Sequence, residues 1–245
     1  ASISVGYLAE INIRLPIFLG CVPLLFAIII SLQFKEVPIV NKKSFTLKDY
    51  FNQMKESVFF TANHTKLKWF ICFVVVVGTV SKIWFFSYND YFDLVNLKIV
   101  YFGWIFFALN IVAAISSYFA DALSRRISDS VGVVLMLASI TIPIFVMSIF
   151  VCKWAALLVL FQNLTRGYIT PFTEHIINKH IESDKRATIL SIKYSILALA
   201  NLVLLGAYGQ IIKFSSLVAG LQILAVFMII CSIWLIISYF KIFKN

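Results

Sequence analysis

The sequence predicts an all-α fold, a polytopic membrane bundle of about seven transmembrane helices, and three observations predict it. Hydrophobic residues make up 61% of the 245 and charged residues only 13%, with a mean hydropathy of +0.95. An ordinary soluble domain is roughly 45–50% apolar and 25% charged, and no water-soluble core could hide this surplus of apolar side chains. Apolar runs long enough to cross roughly 30 Å of hydrocarbon, at about 20 residues each, recur along the whole chain. Lys and Arg, finally, gather in alternate connections between those runs. Because the runs are spread from end to end, a single signal peptide or anchor is excluded.

The spans fall at about 13–33, 69–88, 99–119, 131–151, 154–174, 188–212 and 216–240. One set of connections carries Lys35, Lys42, Lys43, Lys48, Lys55, Lys66, Lys68, Arg125, Arg126, Lys179, Lys185, Arg186, Lys241 and Lys244; the other carries only Lys98, Lys153 and Lys213. The excess of basic residues marks the cytoplasmic side. The C-terminus is therefore expected inside, with the first span entering from outside, in the cell (cytoplasmic) membrane. The formal charge of +10 then orients the chain in lipid, and no nucleic-acid partner is expected. Trp84, Phe85, Phe86, Tyr88, Tyr91 and Phe92 cluster where the second span ends, and are expected in the headgroup region that favours aromatic rings.

The long connection at about 34–68 holds Leu47, Tyr50, Phe51, Met54 and Val58 at helical spacing, with Thr46 and Asp49 placed as an N-terminal cap. A basic amphipathic helix lying on the cytoplasmic surface is expected there. Cys21, Cys72, Cys152 and Cys231 lie in or beside apolar spans, without metal-ligand spacing. No GxSxG elbow, phosphate-binding glycine loop or HExxH motif occurs, so no enzyme activity, cofactor or metal is expected.

At the end of the third span the chain reads Ser117-Tyr118-Phe119-Ala120-Asp121-Ala122-Leu123-Ser124-Arg125-Arg126. It resembles the signature loop of major facilitator superfamily transporters, G-x-L-x-D-R-x-G-R-[KR]. Asp121, Arg125 and Arg126 match; Ser117 and Ser124 replace glycines with small residues, while Phe119 and Ala122 depart. Further on, Gln162-Asn163-Leu164-Thr165-Arg166-Gly167, Pro171, and Asp184-Lys185-Arg186-Ala187-Thr188-Ile189-Leu190-Ser191 are similar to the tenth helix, the loop and the eleventh helix of bacterial drug-efflux-like members. Gly6-Tyr7-Leu8-Ala9-Glu10 with Arg14-Leu15-Pro16 resembles the turn from the fifth helix into the sixth.

The resemblance implies residues 1–33 as the last helix of an N-terminal bundle, 34–68 as the cytoplasmic linker and 69–245 as a C-terminal six-helix bundle. It implies secondary active transport of a small solute by alternating access, with solute bound near the midplane between two halves. On that alignment the earlier helices of the same transporter are missing partners, and the chain is expected to be inactive alone. Asp121, Arg125 and Arg126 would form a cytoplasmic latch, the carboxylate accepting from amides of the next helix and pairing with the arginines. A proton is the coupling ion the resemblance suggests, yet Glu10, Asp90, Asp93 and Glu174 all fall at span ends, which leaves the ion open.

Polar side chains inside the spans are the candidates for the solute pathway, since an ionisable group in hydrocarbon costs at least about 2.5–3.5 kcal/mol unless it faces protein or water. Gln162, Asn163, Arg166, Thr170, Thr173 and Glu174 share about a third of a helix circumference. Arg166 lies roughly 18 Å along its span, too deep to snorkel. Gly167 and Pro171 would let that helix pack closely or bend. Lys82, Asn110 and Asn201 are further candidates: Lys82 can alternatively snorkel, and each Asn can bond a solute or a neighbouring helix. Gly103, Asn110, Ala114, Ser117 and Asp121 share one small or polar face. Lys193, near the cytoplasmic end, is expected to snorkel. Two other readings share the topology, a seven-helix receptor and a non-transporting membrane scaffold. The receptor lacks support, since 216–240 has no Schiff-base lysine and no NPxxY-like or DRY-like sequence occurs.

Overall fold

The structure, a computed structural model, describes residues 2–12, 14–34, 55, 59, 61, 63–180 and 183–243. All of the regular structure among the described residues is helical. In chain order the helices are α1 (Ser2–Ile11), α2 (Leu15–Ser31), α3 (Thr65–Leu94), α4 (Ile99–Arg126), α5 (Asp129–Ile149), a 3-10 turn (Ala155–Leu158), α6 (Val159–His180), α7 (Ser183–Phe214) and α8 (Leu217–Phe243). The amphipathic segment expected around Leu47, Tyr50, Phe51, Met54 and Val58 lies outside the described residues, as do the side chains of Asp184, Lys185 and Arg186.

Among the described residues five helices are long and apolar enough to cross a membrane: α3, α4, α5, the Thr188–Phe214 part of α7, and α8. They fit a helical membrane bundle. The other two expected spans are the informative ones. The first forms α2, apolar throughout but only 17 residues long. The fifth forms α6, 22 residues long, whose Gln162, Asn163, Arg166, Glu174 and His175 pull its hydropathy below that of a self-sufficient span. Length therefore fails in one case and composition in the other.

Helices also run past the expected ends, because hydropathy marks only the lipid-length part of a helix whose ladder continues into polar residues. At about 1.5 Å per residue α3, with 30 residues, spans about 45 Å against the roughly 30 Å of hydrocarbon. It stops in a tight turn. Asn96 takes the left-handed conformation at φ 54°, Asn96 N–H donates to Asp93 O at 2.9 Å and Leu97 N–H to Phe92 O at 2.9 Å. This is a Schellman closure, and an Asn tolerates the left-handed position better than most residues because its short amide bonds locally. The chain thereby reverses directly into α4.

The core lies where α3, α5, α6 and α8 meet. Phe73, Val77, Trp84, Tyr88, Tyr91, Phe92, Ile140, Ile144, Met147, Leu221, Met228 and Leu235 are buried there. The aromatic cluster at the end of α3 is therefore not a headgroup belt. Trp84, Tyr88, Tyr91 and Phe92 are wholly enclosed, Phe92 packing edge-on to Phe102 and Phe106 of α4, and only Phe86 of the group is exposed. Tyr88 and Phe92 face α4 at Phe106 and Phe102, while Tyr91 turns to the end of α5, its hydroxyl donating to Phe150 O at 3.3 Å, and Trp84 packs edge-on to Tyr88 and Tyr91.

Two glycine contacts set helix spacing. A methyl group at Gly6 would fall 2.9 Å from Val100 O, so α1 lies directly on the backbone of α4, near Gly103. At Gly167 the approach is closer: an added Cβ would stand 2.2 Å from Ala113 O and 2.8 Å from Ser116 Cβ. Membrane helices associate through small residues that let backbones touch, and Ser116 Oγ completes this crossing by donating to Leu164 O at 2.6 Å.

Replacement of a helical Gly by Ala ordinarily stabilises by about 0.5–1 kcal/mol. At Gly167 the sign should reverse. Gly167→Ala is expected to destabilise by about 1–3 kcal/mol, the range for overpacking, and to lower the melting temperature in detergent. Gly206→Ala, whose Cβ would meet nothing within 4 Å, should not lower it.

Candidate functional site

α6 begins where the 3-10 turn at Ala155–Leu158 sets its angle of entry, and it is held on three sides by α3, α4 and α5. Ala113, which Gly167 touches, lies about 20 Å from either end of α4 at about 1.5 Å per residue. Arg166, one residue before Gly167, is therefore near mid-height in the bundle.

The polar side chains of α6 are sorted by where they point. Gln162, Asn163, Thr165 and Thr173 are buried, and each is bonded within the protein. Tyr88 Oη donates to Gln162 Oε1, and Gln162 Nε2 donates to Ser81 O at 3.1 Å. Asn163 Nδ2 donates to Val159 O at 3.0 Å and reaches Tyr88 Oη at 3.4 Å. Thr165 pairs with Ser139 and donates to Met136 O at 3.2 Å. Thr173 Oγ1 donates back to Ile169 O at 2.8 Å. Such closure is required where water is absent, since each unpaired polar group there costs on the order of 1–3 kcal/mol.

Arg166 and Thr170, on the same arc of α6, are exposed. Arg166 Nη1 donates to Asn163 Oδ1 at 3.4 Å, and its guanidinium carbon lies 5.0 Å from the centroid of the Phe85 ring. The ring's negative face holds the cation while the amide orients it. No carboxylate lies within 4.0 Å of it among the described residues; the ion pair found there is Arg125–Asp121. A chain of bonds thus runs from the buried Ser81 carbonyl through Gln162, Tyr88 and Asn163 out to Arg166.

Of the other sequence candidates, Lys82 is exposed on α3, one residue past Ser81 and three before Phe85, so it borders the same seam. It stands about 18 Å from the end of α3 at Leu94, at about 1.5 Å per residue. Asn110 is exposed on α4 and donates to Phe106 O at 2.8 Å; Phe106 packs on Phe85, ring centroids 5.9 Å apart. Lys82, Asn110 and Arg166 therefore lie near the Phe85–Phe106 pair, with Thr170 one turn of α6 beyond Arg166. Asn201 is not part of this group. It is half-buried on α7, and its Oδ1 is enclosed without a hydrogen-bond partner.

Of the contacts expected of the latch residues, the pairing with an arginine is present. Asp121 pairs with Arg125 of its own helix at 2.7 Å, both side chains largely exposed at 68% and 75%, and it makes no bond to the amides of α5. Four residues separate them on one helix face, the spacing at which side chains meet most readily. Arg126 is exposed beside them.

Two residues were misjudged or missed in the sequence. Lys193 does not snorkel: it is 2% exposed, its Nζ lies 4.2 Å from the centroid of the Tyr194 ring, and the charge of Glu174 on α6 acts on it. Its side chain is turned inward because α7 packs on α3 along the Ile189–Leu197 face. Tyr88 was assigned to the headgroups, yet it is the hub of the network. Its spacing of seven from Ser81, on one helix face, was the available signal.

No family model matches the chain, and neither does any curated protein.

Removal of the Tyr88 hydroxyl leaves the buried Gln162 carbonyl without its donor. Tyr88→Phe is expected to cost about 1–3 kcal/mol, read as a lower melting temperature in detergent, whereas Phe86→Leu on the exposed side should change it little.

Proposed function

We propose that the chain forms part of a secondary active transporter of the major facilitator type, moving a small solute across the cell membrane by alternating access. The pathway in this reading runs past Arg166, Lys82, Asn110 and Thr170, backed by Gln162 and Asn163, with the C-terminus in the cytoplasm and the bilayer as the surrounding solvent. The observation that carries it is the character of α6. A helix too polar to suit lipid is wrapped by three neighbours on its buried side, and directs a guanidinium and a hydroxyl outward at mid-height. A scaffold has no need of an open cation there, where lipid contact costs about 2.5–3.5 kcal/mol or more on insertion scales. A water-filled route removes that cost.

The motif residues support the same reading from the cytoplasmic end. An exposed i,i+4 pair such as Asp121–Arg125 contributes only about 0.3–0.5 kcal/mol, so its role in this reading is in switching between states. The Pro171 ring removes the backbone donor that would serve the Gly167 carbonyl, which gives α6 a place to flex one turn below Arg166.

Thiol labelling tests the pathway without knowledge of the solute. With Cys21, Cys72, Cys152 and Cys231 changed to Ser, Asn110→Cys and Thr170→Cys should react with a membrane-impermeant methanethiosulfonate in intact cells, and Ile142→Cys, exposed on the apolar face of α5, should not. Labelling of neither Asn110→Cys nor Thr170→Cys would reject a water-lined route here. A second test concerns the latch: Asp121→Asn should leave stability within about 0.5 kcal/mol of wild type while slowing solute uptake into proteoliposomes that hold the whole transporter.

A further inference from the structure

We infer that the solute is an oxyanion, a small molecule bearing a carboxylate or phosphate group held by Arg166 with Lys82. This rests on the pathway reading above and names the chemistry that the pathway recognises.

The argument starts from donors. A guanidinium carries five N–H donors in a planar fork, and Arg166 uses one, at the long distance of 3.4 Å, on Asn163. Phe85 fixes the plane of the group from one side without consuming a donor. The neighbouring amides offer a solute little: Gln162 donates to Ser81 and accepts from Tyr88, and Asn163 donates to Val159. What remains free to bind is cationic.

Lys82 adds a second cation on the same seam. Its helix face is that of Phe85, three residues on, and Ser81 beside it anchors Gln162 of α6. Like Arg166 it is exposed, and no carboxylate lies within 4.0 Å of it among the described residues. Two exposed cations near mid-height, Arg166 over the Phe85 ring and Lys82 one turn before Phe85 on α3, make a strongly positive local potential. Asn110 and Thr170, both exposed around them, are neutral and do not cancel it. A cationic solute would be repelled, and a neutral one would leave both charges without a counter-ion. The planar fork of Arg166 matches the two oxygens of a carboxylate or phosphate, with Lys82 as a point charge beside it.

The test is ligand-dependent melting of the purified chain in detergent, followed by tryptophan fluorescence, with sodium benzoate, sodium phosphate or tetraphenylphosphonium chloride added and ionic strength held constant with sodium chloride. Benzoate or phosphate should raise the melting temperature saturably. Arg166→Gln should abolish that rise, Arg166→Lys should keep part of it, and Lys82→Gln should weaken apparent affinity by about tenfold. Each variant is first shown to melt cooperatively without ligand; one that does not is replaced by Arg166→Met, which keeps the stem over Phe85. A rise with tetraphenylphosphonium alone, no rise with any of the three, or an undiminished rise in the Arg166 variants would overturn the inference. The thiol labelling of Asn110→Cys and Thr170→Cys does not depend on solute charge. Labelled cysteines with no anion effect would sink the oxyanion and leave the pathway standing, whereas unlabelled cysteines would sink the pathway whatever the melting curves show.

Discussion

In hydrocarbon a polar group has no water to fall back on, so it must find its partner within the protein, and α6 is the helix on which this constraint bears hardest. Its buried amides and hydroxyls are closed by groups from two neighbours, Ser81 and Tyr88 of α3, and Met136 and Ser139 of α5. Those bonds fix the rotation of α6 about its own axis. Arg166 and Thr170 lie on the same arc, between Gln162 and Asn163 at about 100° per residue, yet are exposed, so the rotation that closes the amides also fixes the direction of these two. The orientation of the candidate site thus follows from the satisfaction of groups that do not themselves belong to its open surface.

The same rotation explains the contact at Gly167. With Gln162 and Asn163 turned to α3, the side toward α4 must be small, and the backbones of the two helices meet at Gly167 and Ala113. Ser116 then reaches Leu164 O across a gap that no larger residue would leave. Polar closure on one side and steric closure on the other leave α6 little freedom to slide, and flexing is concentrated toward Pro171.

The bundle's apolar helices were legible in the sequence because hydrophobicity at lipid length is a property of each segment alone. Residues whose position depends on a neighbour were less so. Trp84, Tyr88, Tyr91 and Phe92 look the same in a headgroup belt as in a protein interior, and only the return of the chain at Asn96, which brings Phe102 and Phe106 against them, decides for the interior. Lys193 lies close enough to a helix end to reach water, and its inward direction depends on how α7 faces α3. The stripe from Gln162 to Glu174 was readable as one arc, but its division into a bonded half and an open half required the partners on α3 and α5. Arg166 settles on Phe85, a residue that carried no polar signal in the sequence.

The attachment of the first two helices has a mechanical consequence. α2 buries none of its side chains and leans chiefly on α1, and α1 meets the rest of the molecule where Gly6 sits on the backbone of α4. α1 is seated along α4, so it is the exposed α2 that projects, from the elbow where the Asn12 side chain accepts from the Arg14 amide at 2.9 Å.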